Sequence, residues 1–131
     1  MTDRVSLRYE RWWRSAGWLM LAVVAVSALM PWPEVPDAPG NLDKYLHVAT
    51  FLFLTVWFCG VYERWPRVVL GLLLFGAAIE LAQSATGYRY PETADMVANA
   101  AGIALGLALC AAGGAGWCRG VESFIQGNHR A

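Results

Sequence analysis

Charge is scarce in this sequence. Acidic and basic side chains together fill 15% of its 131 positions and cancel to a net charge of zero. An ordinary soluble domain carries roughly 25%. A neutral chain creates no long-range field to steer a charged partner, and without a basic patch there is no footprint for nucleic acid. Cysteines number only three. Cys59, Cys110 and Cys118 match no zinc or redox spacing, which leaves packing as their role and gives no disulfide framework. There is no phosphate loop, no His-Glu-x-x-His pair, no nucleophile elbow and no internal repeat. Four of the six prolines crowd into Pro31–Asn41, a stretch that cannot be helical throughout and is expected to form an ordered outer loop over the bundle.

What remains is apolar. Hydrophobic residues make up 57% of the chain, against roughly 45–50% for a soluble domain, and they come in long runs rather than amphipathic stripes. Four runs, extended by a few flanking residues, reach the roughly 17–25 residues that cross a hydrocarbon core. The expected helices are 15–31, 45–62, 67–86 and 95–113, with a tail at 115–131 in which Trp117, Val121, Phe124 and Ile125 fall at helical spacing. The fold class is therefore all-α, an integral membrane bundle of four transmembrane helices forming one domain over 1–131. A rival reading makes the first run a signal peptide cleaved after Ala28. The apolar run continues beyond that point to Met30, which favours retention as a first span.

Lysine and arginine bias orients the bundle. Arg4, Arg8, Arg11, Arg14, Arg64, Arg67, Arg119 and Arg130 fall on one side, and only Lys44 and Arg89 on the other. Both termini are expected in the cytoplasm, with acidic loops outside. Trp12, Trp13, Tyr62, Trp65 and Trp117 would anchor the inner interface, and Trp32, Tyr45, Tyr88 and Tyr90 the outer one.

Against that background the polar residues of the spans need a reason. The apolar residues of the third run contribute roughly −3 to −5 kcal/mol to insertion, enough to carry Glu80 at a cost of ~2.5–3.5 kcal/mol or less. They do not make it cheap to point Glu80 at lipid, so it should face the bundle or a water-filled cavity. At about 100° per residue, Gly76, Glu80, Gln83 and Gly87 share one face of their helix. Asp95, Asn99, Gly102 and Gly106 do the same on the last helix. The two stripes are expected to face each other, with Gly76, Gly102 and Gly106 allowing close helix packing. On the second helix Asp43 and His47 are i,i+4 partners beside Lys44. Asp43, Lys44, His47, Glu80, Gln83, Arg89, Asp95 and Asn99 all belong to the outer half. They imply one polar, ligand-binding pocket open to the outside, built by the second to fourth helices, with Tyr88–Tyr90 as its lid. Blander roles stand beside this: Asn99 as an interhelical hydrogen bond, Asp95 as a helix N-cap, Lys44 and Arg89 as counter-ions, His47 as a satisfied interfacial side chain.

The ordered pattern resembles one family. "DKYLHVATF" at Asp43–Phe51, then "GAAIELAQSATGYRYPETADMVANAAGIALG" at Gly76–Gly106, is similar to the signature of VanZ-like membrane proteins. The shared elements are Asp-Lys-x-x-His, Glu-x-x-Gln, an Arg, and Asp-x-x-x-Asn-x-x-Gly-x-x-x-Gly, covering about 43–106. The resemblance implies a small multi-spanning protein of the bacterial cytoplasmic membrane. The founding member is associated with resistance to the glycopeptide teicoplanin.

Three functions are open. The first is a non-enzymatic envelope protein whose pocket takes a membrane lipid, a lipid-linked envelope precursor or a lipoglycopeptide, with Lys44 and Arg89 meeting phosphate or carboxylate. The second is a membrane-embedded enzyme using His47, Glu80 and Asp95 as acid/base groups or ligands of one divalent metal. No catalytic or metal motif supports that second reading, so neither a metal nor a cofactor is expected. The third, proton or ion conduction through Glu80 and His47, lacks polar residues to continue the path inwards.

Overall fold

A computed structural model describes residues 7–31, 40–88, 90 and 92–128. The expected outer loop of Pro31–Asn41 lies almost wholly outside the described residues, as does Arg89. The chain forms α1 (Glu10–Leu29), α2 (Leu42–Val61), α3 (Trp65–Ser84) and α4 (Thr93–Ala111). A single 3-10 turn (Gly114–Gly116) then leads into α5 (Trp117–Asn128). The first four are long and apolar enough to cross a membrane, and no strand occurs among the described residues.

All four long helices start two to five residues before the expected positions, α2 at Leu42 so that Asp43 and Lys44 lie inside its first turn. α1 begins five residues earlier than hydropathy suggests, because a polar first turn is still helical: Glu10 pairs with Arg14 one turn on. α4 begins at Thr93 with Glu92 as its N-cap residue, so Asp95 is the third helical residue and caps nothing. Pro66 sits in the first turn of α3, where its missing N–H costs no hydrogen bond. Gly87 lies beyond the end of α3 with φ of +74°, a conformation that a side chain would strain.

α2 and α4 run parallel and make the most extensive contact in the bundle. A methyl group at Gly102 would stand 2.4 Å from the Val48 carbonyl oxygen, and one at Gly106 2.6 Å from Thr55 Cβ. Without side chains there, the two backbones approach closely, the usual route to helix association where lipid supplies no hydrophobic force. This corrects the expected pairing of stripes: the small residues of α4 meet α2, not α3. Of the glycines of α3, Gly76 looks at α4, where a methyl would come within 2.9 Å of Asn99 Nδ2, and Glu80 faces the start of that helix. The dry core is Phe51, Leu54, Phe58, Leu72 and Ile103. Gly17 is the one fully buried residue of α1, while Trp18, Leu19, Val23 and Val26 point outwards, as a lipid-facing helix would.

At the end formed by the start of α1, the α2–α3 turn and α5, three tryptophans interlock. Trp117 packs on Trp57 at 4.6 Å between ring centroids and on Trp13 at 5.2 Å. Its indole donates to the Val56 carbonyl at 3.1 Å. Gly60 makes room, since a methyl there would sit 2.2 Å from the Trp117 ring nitrogen. Glu122 of α5 is buried beside them. It accepts the backbone N–H groups of Arg8 and Tyr9 at 2.9 Å each and the Trp13 indole at 2.8 Å. These donors lie at or just before the start of α1, whose own N-cap residue, Tyr9, makes no side-chain cap bond. The last helix therefore caps the first. The three cysteines are free and buried, as packing residues.

Candidate functional site

The opposite end of the bundle gathers most of the polar residues singled out in the sequence. Because α2 and α4 are parallel, their first turns lie side by side, and α3 brings its last turns to the same level. Lys44, in the first turn of α2, holds the centre. Its ammonium donates to Glu92 Oε2 at 2.5 Å and to Asp95 Oδ1, and it lies 3.5 Å from Asp43 Oδ2. One turn deeper, His47 Nδ1 stands 2.8 Å from Asn99 Oδ1. An amide oxygen only accepts, so this ring nitrogen carries the proton. The other ring nitrogen, Nε2, faces Asp43 Oδ1 at 3.7 Å and Asp95 Oδ2 at 3.8 Å.

Glu80 lies beneath, 5% exposed. Its Oε2 accepts the Glu92 N–H at 3.3 Å, while Oε1 is fully buried and has no hydrogen-bond partner among the described residues. Asp95, His47 and Lys44 are all close enough to act on its charge. A buried carboxylate oxygen without a donor is costly and demands a proton, a cation or a ligand donor.

Two candidates play other parts. Gln83 is buried on the same face as Glu80, but its amide donates to the Ala28 carbonyl of α1 at 2.8 Å. It thus straps α3 to α1. Tyr88 does likewise, donating its hydroxyl to the Leu29 carbonyl. Sequence reasoning passed over Glu92, which both pairs with Lys44 and gives its N–H to Glu80. The available signal was its position three residues before Asp95, which puts both acids on one helix face.

The electrostatics are lopsided. Asp43, Glu80, Glu92 and Asp95 bring four carboxylates, while Lys44 is the one lysine or arginine described at this end. Lys44 already serves two of the acids, so it offers little to an anion. The arrangement suits a ligand that brings positive charge or hydrogen-bond donors. Asp43, His47 and Asp95 also offer one ligand atom each, all within 4.8 Å of one another, a loose donor set for a divalent cation.

A family model described as VanZ/LLP1 matches residues 5–114, a span that includes α1 to α4 and every residue of this cluster. No curated protein and no solved structure matches the chain.

Proposed function

The chain belongs to the VanZ/LLP1 family of membrane proteins, and from that premise we propose that it is a multi-pass protein of the bacterial cytoplasmic membrane that binds an envelope ligand at its acidic end. The arginines at the start of α1, in the α2–α3 turn and on α5 support an orientation with both termini inside, which directs the acidic end outwards. The ligand is a lipid-linked envelope precursor, or a lipoglycopeptide of the teicoplanin type, held through an amine or hydroxyl group. One observation carries this reading: the buried oxygen of Glu80, without a partner among the described residues, under their excess of carboxylates. An amine would satisfy that oxygen and offset the charge of Asp95, whereas a phosphate would meet four acids and a lysine already engaged.

The test is binding of a lipid-linked peptidoglycan precursor, and separately of teicoplanin, to protein in lipid nanodiscs. Binding by the wild type, and its loss in a folded Glu80→Gln variant, supports the reading. Binding that is unchanged by the substitution overturns it.

A second reading has its own observation, the Asp43–His47–Asp95 donor set. There the protein is a membrane-embedded enzyme acting on a lipid-linked substrate, with the acids and His47 as metal ligands or acid/base groups. Stoichiometric zinc or manganese in the purified protein, lost with His47→Ala, would favour it over the first.

A further inference from the structure

One sizeable cavity is not at the acidic end. It lies at the tryptophan end, between α1, α2 and α3, with a volume of about 1100 Å³. Its wall is apolar, made by Trp18, Leu21, Phe58, Leu72 and Phe75. Its rim is basic, with Arg14, Arg64, Arg67 and Arg119 set against Glu10 and Glu63. Glu10 is already paired with Arg14, which also lies 5.0 Å from the centroid of the Tyr62 ring. Arg64, Arg67 and Arg119 make no ion pair among the described residues.

Geometry adds a direction. From Arg14 to Leu21 α1 rises about 10 Å, and from Arg67 to Phe75 α3 rises about 12 Å, at 1.5 Å per residue. A charged rim thus gives way, within one headgroup-to-acyl distance, to an apolar cleft. Trp18 and Leu74 line the cleft and are more than half exposed, so it opens sideways on the lipid-facing surfaces of α1 and α3.

We infer that this cleft is a binding site for an anionic phospholipid of the leaflet at this end. The phosphodiester sits among Arg64, Arg67 and Arg119, and the first part of an acyl chain lies along Trp18, Leu21 and Leu72. A water-soluble phosphate would use only the rim and leave the apolar wall unfilled. A zwitterionic lipid would fill the wall but bring no net charge to the unpaired arginines. Basic pockets between transmembrane helices are a known solution for anionic headgroups. The proposal is independent of the ligand at the acidic end.

The test is native mass spectrometry of delipidated protein titrated with phosphatidylglycerol, phosphatidylcholine or glycerol phosphate. The wild type should bind phosphatidylglycerol at least about tenfold more tightly than phosphatidylcholine, and glycerol phosphate not measurably. Arg64→Gln with Arg67→Gln should reduce the preference to near unity, and Arg11→Gln, outside the cleft, should preserve it. Gly71→Trp, placed in the cleft where nothing lies within 4 Å of an added side-chain carbon, should weaken both lipids equally. The wild-type comparison stands even if a variant fails to fold. Equal affinity for the two lipids, binding of glycerol phosphate as strong as the lipid, an equal effect of Arg11→Gln, or a lipid-free dimer occupying the cleft would each overturn the proposal.

Discussion

His47 and Asn99 are joined at 2.8 Å across the α2–α4 interface, and this bond fixes which face of the imidazole meets the acids. With Nδ1 turned to Asn99, Nε2 is left between Asp43 and Asp95. The pair therefore positions the one titratable ring of the cluster as well as linking two helices.

The coupling between these side chains is measurable. A double-mutant cycle with His47→Ala and Asn99→Ala, read by thermal unfolding in detergent, should give an interaction energy of about 0.6–1.7 kcal/mol, as for other hydrogen bonds between transmembrane helices. Additive single substitutions would show that the two side chains do not cooperate.

Close packing of α2 on α4 makes two glycines behave oppositely. Gly102→Ala places a methyl 2.4 Å from a backbone oxygen that cannot rotate away, and should cost about 1–3 kcal/mol as an overpacked contact. Gly71→Ala meets nothing within 4 Å and should be neutral or slightly stabilising. Comparing the two unfolding temperatures checks the helix pairing directly; equal values would contradict it.

Glu122 predicts an acid sensitivity. Burial pushes its pKa up, but hydrogen bonds from the Tyr9 N–H, the Trp13 indole and the Arg8 N–H, with the Arg8 charge, outweigh burial and hold it below the usual carboxylate value. Its neighbour Cys118 is pushed up to about 12 by burial and by the Glu122 charge, so the thiol stays neutral throughout. A depressed folded-state pKa gives stability that is complete above the unfolded carboxylate value and is lost as pH falls through the folded one. Below about pH 5 the wild type should therefore lose stability more steeply than Glu122→Gln. Glu122→Ala, which strands three donors, should cost about 1–3 kcal/mol at neutral pH. Parallel pH curves for the wild type and Glu122→Gln would remove the carboxylate from this role.

How legible the molecule was from its sequence depended on the range of the forces involved. The four long helices announced themselves because a span must be apolar on all sides, which hydropathy records residue by residue. The polar first turns of α1, α2 and α4 escaped in whole or in part for the same reason, since Glu10–Arg14, Asp43–Lys44 and Thr93 are helical without being apolar. The gathering of Asp43, Lys44, His47, Glu80, Asp95 and Asn99 at one end followed from local spacing plus helix direction. Which neighbour each stripe meets did not, because helical periodicity gives a face and not its partner. Thus Gly102 and Gly106 turned out to serve α2, and Gln83 to strap α1. The Glu122 cap joins residues more than a hundred positions apart, and no local pattern encodes such a contact. The basic-rimmed cleft is likewise a product of assembly, since its arginines come from three separate segments.

The central claim is that Glu80 holds an envelope ligand by a hydrogen-bond donor. Its most direct measurement is native mass spectrometry of wild-type protein and Glu80→Gln, each extracted from its own membrane into lipid nanodiscs. The wild type is expected to retain an amine- or hydroxyl-bearing envelope lipid, reduced about tenfold or more in the variant, the scale of one charged hydrogen bond. An identical lipid complement on the two proteins, with the variant folded, would contradict it.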